Sequence, residues 1–361
     1  MARRRKRRRI WLFSISFRVL AVIALILISL CYLAPFVSPA KVGFIGFFGI
    51  YFIPAILLNL ILLIAAVIRR SRSFWIPVIA LLPSVFFAGT YFRPGSQGKE
   101  PAPEEAFRIM SYNVGRFTSS GTSGQNECLG DVCRFIEEEN PDIVLLQEFR
   151  TTDTSAVRRS FPAYRYVQHF LIPYRKGEYF VGNVTLSKFP IASGGRIRFE
   201  SSTNMVMYSD AIVGSHAIRV YNVHLESNSI SLTSLIKKIG GWEEFSDEFV
   251  HAHEKVLTSA SKRQFQTDAL LRNQAQCGMP SFICGDVNDT PMSYSYKELS
   301  EGKKDTFREA GYGFGATYSI MWPLLRIDYM FVPEEVQVYS HYTPKVKHSD
   351  HYPIVAEIGL E

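Results

Sequence analysis

The stretch SFICGDVND, residues 281–289, joins a short apolar run to a polar end. Its apolar residues predict a β-strand over 281–285. The run stops in Asp286, and Asn288 follows two residues later. A buried strand tolerates such groups only where they are paired or solvated, although Asp286 after Gly285 could equally be an ordinary turn residue. The stretch therefore predicts a buried strand that ends in polar side chains, which belong either to a turn or to a functional site.

The same pattern of apolar runs that meet carboxylates, Asn or His recurs between Phe107 and Glu361. The sequence suggests that these polar residues lie at the carboxyl ends of their strands. They are Asn113, Glu148, His224, Asp328, Asp350 and His351. Each has an ordinary alternative explanation as a turn former, a surface carboxylate or a hydrogen-bonded core histidine. Their repetition favours one shared site.

Strands outnumber helices in the predicted secondary structure beyond residue 107. The predicted strands are 108–114, 143–149, 164–169, 184–187, 205–213, 217–225, 281–285, 326–332 and 354–358, and the predicted helices are 129–139 and about 247–276. Many neighbouring strands are too close in sequence for a crossover helix. We therefore expect an α+β fold with largely antiparallel or mixed sheets, in one large domain over 107–361.

The charge is divided unevenly along the chain. The first 99 residues contain no Asp or Glu but hold 14 of the 40 Lys and Arg residues. Residues 100–361 therefore carry 26 basic and 33 acidic residues, a formal charge of −7. The charge of +7 for the whole chain belongs to the N-terminal part, so it gives no evidence for a nucleic-acid-binding domain.

Three apolar stretches fill the N-terminal part, at about 10–37, 42–68 and 74–92. Each reaches or approaches the ~20 apolar residues that a membrane-spanning helix needs. We therefore expect residues 1–92 to form a membrane anchor with three transmembrane helices, which argues against a wholly cytosolic protein. A cleaved signal peptide is the competing interpretation of the first stretch.

The basic residues of the short loops predict the orientation of this anchor. Seven basic residues at 3–9 and three arginines at 69–72 should be cytoplasmic, whereas Lys41 stands alone in the opposite loop. After three spans the chain emerges outside the cytoplasm. The segment 93–106, rich in Pro and Gly, is expected to be a linker to an extracytoplasmic domain.

Six motifs in the domain resemble, in the family's order, those of the endonuclease/exonuclease/phosphatase superfamily, which includes DNase I-like nucleases, neutral sphingomyelinases and inositol-phosphate phosphatases. They are MSYNV at 110–114, LLQEF at 145–149, YNVHLES at 221–227, GDVND at 285–289, RIDYMFV at 326–332 and HSDHYPIVAEI at 348–358. The resemblance covers essentially all of 107–361. It implies a DNase I-like four-layer αββα sandwich of two mixed sheets.

The resemblance also implies that part of the site binds a metal ion. Hydrolysis of a phosphate ester requires neutralisation of charge on the phosphoryl oxygens, activation of water and protonation of the leaving oxygen. Glu148, the Asn113 amide oxygen and Asp350 are the expected metal ligands. Such hard oxygen ligands suit Mg²⁺, with Mn²⁺ as an alternative.

The remaining residues are expected to do the chemistry. Asp286 fits the base that deprotonates water, and Asn288 would hold the nucleophile or a phosphate oxygen. His351 should contact the phosphate as imidazolium, with Asp328 placed by analogy to orient its ring. His224 is a candidate to stabilise or protonate the leaving group.

We therefore expect a membrane-anchored, extracytoplasmic, Mg²⁺-dependent phosphoesterase acting on phosphomono- or diesters. The substrate could be a lipid headgroup, a soluble phosphate ester or nucleic acid, and the acidic domain disfavours the last. A nuclease of the same superfamily, a catalytically inactive membrane-tethered binding module, and an accessory domain of a transporter are the alternatives. The stretch 228–250 matches no family motif and could border the active cleft.

Overall fold

The computed structural model describes residues 2–95, 102–118, 125–200, 202–228 and 242–360. In chain order the strands are β1 (Phe92–Arg93), β2 (Phe107–Asn113), β3 (Ile143–Thr151), β4 (Tyr166–Tyr174), β5 (Tyr179–Ser187), β6 (Ile191–Arg198), β7 (Met205–Val213), β8 (His216–His224), β9 (Ser281–Asp286), β10 (Lys303–Asp305), β11 (Gly313–Phe314), β12 (Asp328–Pro333), β13 (Gln337–Tyr342) and β14 (Ile354–Gly359). The α-helices are α1 (Ala2–Leu33), α2 (Gly43–Gly46), α3 (Phe52–Ile68), α4 (Trp75–Leu81), α5 (Val85–Ala88), α6 (Gln125–Glu139), α7 (Ala156–Ser160), α8 (Trp242–Ala275), α9 (Tyr294–Ser300) and α10 (Thr306–Ala310).

Two six-stranded sheets form the centre of the domain. The first has the strand order β13-β14-β2-β3-β5-β4 and the second the order β10-β12-β9-β8-β7-β6. Parallel pairing occurs between β2 and β3 and between β8 and β9, and the other strand pairs of these sheets are antiparallel. Both sheets are therefore mixed, as the sequence predicts.

The central strands, such as β2, β3 and β9, bury both faces, which explains their nearly continuous apolar sequences. Along β2, Ile109 faces the second sheet, whereas Met110 faces helix α6, in the alternation expected of a strand. On the other side of the molecule, Leu270 of α8 and Leu299 of α9 pack against the outer face of the second sheet. The order helix, sheet, sheet, helix confirms the expected four-layer αββα sandwich.

Strand direction corrects one expectation from the sequence. Asn113, His224 and Asp286 do close their strands, but Glu148 lies inside β3 and Asp328 begins β12 instead of ending it. Asp350 and His351 likewise lie in the loop before β14. Because β12 runs antiparallel to β9, and β14 antiparallel to β2, strand beginnings meet strand ends at one edge. The site is therefore still assembled at a single place.

Helical segments make up the N-terminal unit, residues 2–91. Two of them, 15–36 and 43–68, are long and apolar enough to cross a membrane by length and composition. The third expected span, 74–92, is divided between α4 and α5, and its apolar helical length of 72–88 is shorter. A third span therefore stays a prediction.

The N-terminal unit packs directly on the domain. Gln264 of α8 accepts hydrogen bonds from Ser38 Oγ at 2.8 Å and from the backbone N–H of Ala40 at 2.9 Å. Met292 of the domain is fully buried in an apolar cluster with residues of α1 and α3. The expected linker, 93–106, begins in the antiparallel pair of β1 and β11, and its residues 96–101 lie outside the described residues. The boundaries at 92 and 107 stay a prediction.

The stretch 228–250 is described only in part. Residues 229–241 lie outside the described residues, and α8 begins at Trp242. The expected helix over about 247–276 therefore exists and begins five residues earlier.

Candidate active site

Asp286 lies at the centre of the site, at the carboxyl end of β9, where it is 1% exposed. Asn113 Nδ2 donates to its Oδ2 at 2.9 Å. Asn288 donates twice, from its backbone N–H to Oδ1 at 2.8 Å and from its side-chain Nδ2 to Oδ2 at 3.1 Å. Gly285 has φ +141° and lies so close to Val223 that a Cβ would overlap the Val223 carbonyl oxygen. The turn therefore requires glycine, and three donors fix the carboxylate.

Burial is the largest influence on the acidity of Asp286. Burial and the neighbouring charge of Asp328 raise the pKa of Asp286 to about 7, although the donors from Asn113 and Asn288 oppose the shift. A carboxylate of this kind accepts a proton far more readily near neutral pH than an ordinary aspartate does. That is the property required of a general base.

His351 connects the two aspartates. Its Nδ1 lies 2.9 Å from Asp328 Oδ2, and its Nε2 lies 3.8 Å from Asp286 Oδ2. Burial alone would lower the pKa of His351, but the charges of Asp328 and Asp286 outweigh burial and raise it to about 10. The two carboxylates therefore favour an imidazolium at neutral pH.

The side chains of Asp286, Asp328 and His351 are also close enough to hold a metal ion, since one ligand atom from each lies within 4.8 Å of the others. However, the Nδ1 of His351 is engaged by Asp328, and Asp286 already accepts three hydrogen bonds. An imidazolium has no lone pair for a metal. These three residues therefore form a hydrogen-bonded acid–base group in preference to a cation site.

Glu148 lies on the other side of Asp286, inside β3 at an irregularity of the strand where its φ is +52°. Arg116 Nε lies 2.8 Å from Glu148 Oε2, and Arg116 is held in a turn with φ +58°. Burial would raise the pKa of Glu148, but the neighbouring His224 and Arg116 lower it below its usual value. Glu148 is therefore ionised and available to a cation.

His224 is buried between Glu148 and Asp286. Its Nε2 lies 3.6 Å from Glu148 Oε1 and 4.0 Å from Asp286 Oδ2, without a hydrogen-bond partner among the described residues. Burial lowers the pKa of His224, and the charge of Glu148 offsets this only in part. The ring is neutral near pH 7, which suits hydrogen bonding better than proton donation.

The Gly115 turn lies between Asn113 and Asp350, two of the three expected metal ligands. Its N–H donates to Asn113 Oδ1 at 3.0 Å, and its backbone lies against Asp350, where a Cβ would be 2.9 Å from Oδ1. Glu148 and Asp350 both line the same cavity, and Asp350 is exposed to solvent. Two carboxylates and an amide oxygen are hard ligands of the kind that suit a divalent cation.

A cavity of about 700 Å³ lies over these groups. Asp286, Asn288, Glu148, Asp350 and His351 line it, whereas Asn113, His224 and Asp328 lie behind the lining. The N-terminal unit also lines it, through the 3₁₀-helical segment Phe47–Tyr51. All eight site residues expected from the sequence are therefore brought to one cavity or directly beneath it.

Comparison with known proteins decides the family. A model of the endonuclease/exonuclease/phosphatase family matches residues 110–351, two thirds of the chain. The chain belongs to this family. The family hydrolyses phosphate esters, which confirms the expected class of enzyme, and it is generally dependent on divalent metals. A second model, of a domain of unknown function, matches residues 6–91 of the N-terminal unit.

Individual relatives of the family domain are distant. A DNA-(apurinic or apyrimidinic site) endonuclease of Dictyostelium discoideum is 22% identical over 281 residues, which cover 72% of this chain and 73% of the relative. A solved family structure from Beutenbergia cavernae has a TM-score of 0.53 at 19% identity and covers 71% of this chain and 72% of its own. The mannosyl-6-phosphatase of Bacteroides thetaiotaomicron has a TM-score of 0.50 at 14% identity, over 70% of this chain and 99% of its own. These structures support the fold.

A buried amide network of Gln147, Asn183 and Asn222 lies beneath the site of the family domain. Gln147 Nε2 donates to Asn222 Oδ1 at 2.8 Å, and Asn183 Nδ2 donates to the carbonyl oxygen of Asn222 at 3.0 Å. Asn222 Nδ2 returns hydrogen bonds to the carbonyl oxygens of Leu146 and Val184. Gln147 and Asn222 stand inside two of the quoted motifs, so polar residues within apolar runs were the available signal.

Sequence reasoning missed Arg116, because it lies outside the quoted motifs. Its position over Glu148 depends on a left-handed turn that sequence patterns do not reveal. The buried Arg263 of α8 instead holds neighbouring loops, through Asp289 Oδ2 at 3.0 Å and the carbonyl oxygen of Glu226 at 2.9 Å.

Proposed function

We propose that the protein is a membrane-anchored phosphoesterase whose catalytic domain lies outside the cytoplasm and which uses Mg²⁺ or Mn²⁺. The observation that carries the proposal is the pairing of a buried, proton-accepting Asp286 with the imidazolium of His351 at the floor of one cavity. A base beside a cation is what attack of water on a phosphate ester requires.

Asp286 acts as the base. Asn113 and Asn288 hold its carboxylate in one orientation, so that it can orient a water molecule and take its proton. The water oxygen then bonds to phosphorus, the ester P–O bond breaks, and the leaving oxygen takes up a proton from solvent water, to which Asp286 returns the proton that it accepted. Asn288 lines the cavity and is placed to hold the nucleophile or a phosphoryl oxygen.

His351 stabilises the phosphoryl oxygens with its positive charge. Asp328 acts through His351, because its bond to Nδ1 fixes the ring and keeps it protonated. His224, neutral and buried, contributes a hydrogen bond near the reacting group, and we assign to it stabilisation of the leaving oxygen without proton donation.

Glu148, Asp350 and the Asn113 amide oxygen would hold the divalent cation. When bound, the cation neutralises charge on the phosphoryl oxygens and lowers the barrier as a Lewis acid. Arg116, paired with Glu148 in the structure, supplies a second cation at the cavity wall.

Membrane anchoring is supported by two apolar helical segments and by the basic residues that flank them. The positive-inside rule places both basic stretches, the seven basic residues at 3–9 and the three arginines at 69–72, on the cytoplasmic side of the membrane. An extracytoplasmic domain follows only if the segment 74–92 also crosses the membrane.

A DNA endonuclease is the second candidate, favoured by the similarity to the DNA endonuclease of Dictyostelium discoideum. The formal charge of −7 over residues 100–361 argues against it, because phosphate contacts along DNA require clustered Lys and Arg. A catalytically inactive binding module is the third, and the presence of the whole acid–base set argues against that.

The test is a hydrolysis panel with the full-length protein in detergent, with Mg²⁺, with Mn²⁺ and with chelator. The panel contains a chromogenic phosphodiester, a phosphomonoester, phospholipids and DNA with an abasic site. Asp286→Asn should lower the best rate by about 10²–10⁴-fold, the usual contribution of a general base. Full activity in this variant would remove Asp286 from the role of base, and inactivity of the wild type on every substrate would favour the binding module.

A further inference from the structure

One wall of the catalytic cavity is apolar, and it comes from the N-terminal unit. Phe47, Ile50 and Tyr51 line the cavity that Asp286 and His351 line at its polar end. A site for a small soluble phosphate ester has no need of an apolar wall supplied by a second unit. The cavity therefore presents both apolar and polar groups to a ligand.

This wall is held firmly against the domain. The Gly49 carbonyl oxygen accepts a hydrogen bond from Thr290 Oγ1 at 3.3 Å, and Gly49 lies so close to Met292 that any side chain would overlap the Met292 carbonyl oxygen. Tyr51 Oη lies 3.1 Å from His253 Nε2, and the rings of Phe47 and His253 are 4.2 Å apart. The apolar wall is thus an integral part of the cavity.

The opposite rim of the cavity continues into an exposed apolar surface, which we call the rim patch. Ile320 lines the cavity and is 56% exposed. Trp322 is 43% exposed, and its ring lies 6.1 Å from that of Phe314, which lies 5.0 Å from that of Phe92. The rim patch therefore runs from the mouth of the cavity to the end of the apolar N-terminal segments. Exposed aromatic residues beside such segments are typical of a membrane interface.

The charge of the cavity argues against a polyanion. Of the described residues that line it, Arg116 is the one Lys or Arg, and it is paired with Glu148. Binding to nucleic acid would require several such cations along a groove. A single phosphate group fits this balance of charge.

We infer that the substrate is an amphiphilic phosphoester, a phospholipid whose phosphate group lies at Asp286 and His351 while its apolar part passes along Phe47, Ile50 and Tyr51. This inference rests on the proposed function. A cavity of about 700 Å³ holds a headgroup and the first part of the chains. The rest of the chains stays in the bilayer, over which the rim patch lies.

The test compares lipid with soluble substrate in the same full-length protein. Short- and long-chain forms of phosphatidic acid, phosphatidylglycerol, phosphatidylethanolamine and sphingomyelin are presented in mixed micelles, beside bis(p-nitrophenyl) phosphate. We expect kcat/KM for the preferred headgroup to rise with chain length and to exceed that of the soluble ester by about 100-fold, as buried apolar contacts add to binding.

Phe47→Ala is the variant that tests the wall. It should lower the ratio of lipid to soluble kcat/KM by about tenfold, since a truncated aromatic contact typically costs that much. Phe47→Leu should restore most of the ratio. Leu57→Ala is the matched control, because Leu57 is 51% exposed on α3 and does not line the cavity. Thermal unfolding establishes that each variant is folded.

The outcomes separate the two proposals. Cleavage of the soluble ester that depends on Asp286, without any preference for lipid or for chain length, would overturn the lipid inference and leave the phosphoesterase intact. An equal ratio of lipid to soluble kcat/KM in Phe47→Ala and Leu57→Ala would also overturn the lipid inference. Inactivity on lipid and soluble ester alike would overturn the proposed function, and the inference with it.

Discussion

Asp328 stands directly opposite Asp286 across the antiparallel pair of β12 and β9. Two buried aspartates at such a position repel each other, and His351 lies between them with Nδ1 2.9 Å from Asp328 and Nε2 3.8 Å from Asp286. The imidazolium therefore compensates two carboxylates at once. The pKa values of Asp286 and His351 are therefore linked, and a change in one should be visible in the other.

The pH dependence of catalysis should show this linkage. Asp286 must be ionised to accept a proton, so kcat/KM should rise as pH increases through about 7. His351 must be protonated, so kcat/KM should fall as pH increases through about 10. The measurement is kcat/KM for the soluble phosphodiester from about pH 5 to about pH 11.

Asp328→Asn should move both limbs of this profile to lower pH. The charge of Asp328 raises the pKa of Asp286 and also that of His351, and the substitution removes it. Asp153→Asn is the control, because Asp153 is an exposed carboxylate paired with Arg159 on the surface. An unchanged profile in Asp328→Asn would show that this carboxylate does not act through His351.

Glu148 and Arg116 should affect metal binding in opposite directions. Glu148→Gln removes an ionised ligand and should raise the Mg²⁺ concentration for half-maximal binding about tenfold or more. Arg116→Gln removes a cation that competes with Mg²⁺ for Glu148, so it should lower the Mg²⁺ concentration for half-maximal binding by a similar factor. Calorimetric titration of Mg²⁺ measures both without turnover. Weaker binding in both variants would mean that Arg116 organises the site instead of competing for it.

Gln264 should contribute to stability through the contact between the two units. It accepts hydrogen bonds from Ser38 and Ala40, and a hydrogen bond is typically worth about 1 kcal/mol. Gln264→Ala should therefore lower the melting temperature of the full chain in detergent by several degrees. Gln276→Ala, at an exposed position just beyond the same helix, should leave it unchanged. Equal melting temperatures would mean that the contact adds little to stability.

The membrane topology can be tested with a reporter. Ten basic residues lie in the two segments expected to be cytoplasmic, at 3–9 and 69–72. A reporter fused after Glu361 should therefore be active outside the cytoplasm if three segments cross. Activity confined to the cytoplasm would indicate two crossings, in agreement with the shorter apolar helix at 72–88.

The sequence predicted much of the fold because buried strands leave a clear pattern. The runs around Asn113, Glu148 and Asp286 lie within or at the ends of β2, β3 and β9. The direction of a strand relative to its neighbours leaves no such pattern, and Asp328 was therefore expected at the end of a strand that it begins. Arg116 and Phe47 reach the site through a left-handed turn and a contact between units, both of which depend on tertiary structure.

The amide network of Gln147, Asn183 and Asn222 determines more than local hydrogen bonding. Asn113 and Glu148 belong to one sheet and Asp286 to the other, so neither sheet holds a complete reaction centre. Apolar faces could settle against each other in several offsets, but a one-residue offset of about 3.3 Å would leave the buried amides without partners. Pairing of the buried amides thus fixes the position of one sheet relative to the other. The offset that pairs these amides is also the one that brings Asn113 of one sheet to Asp286 of the other.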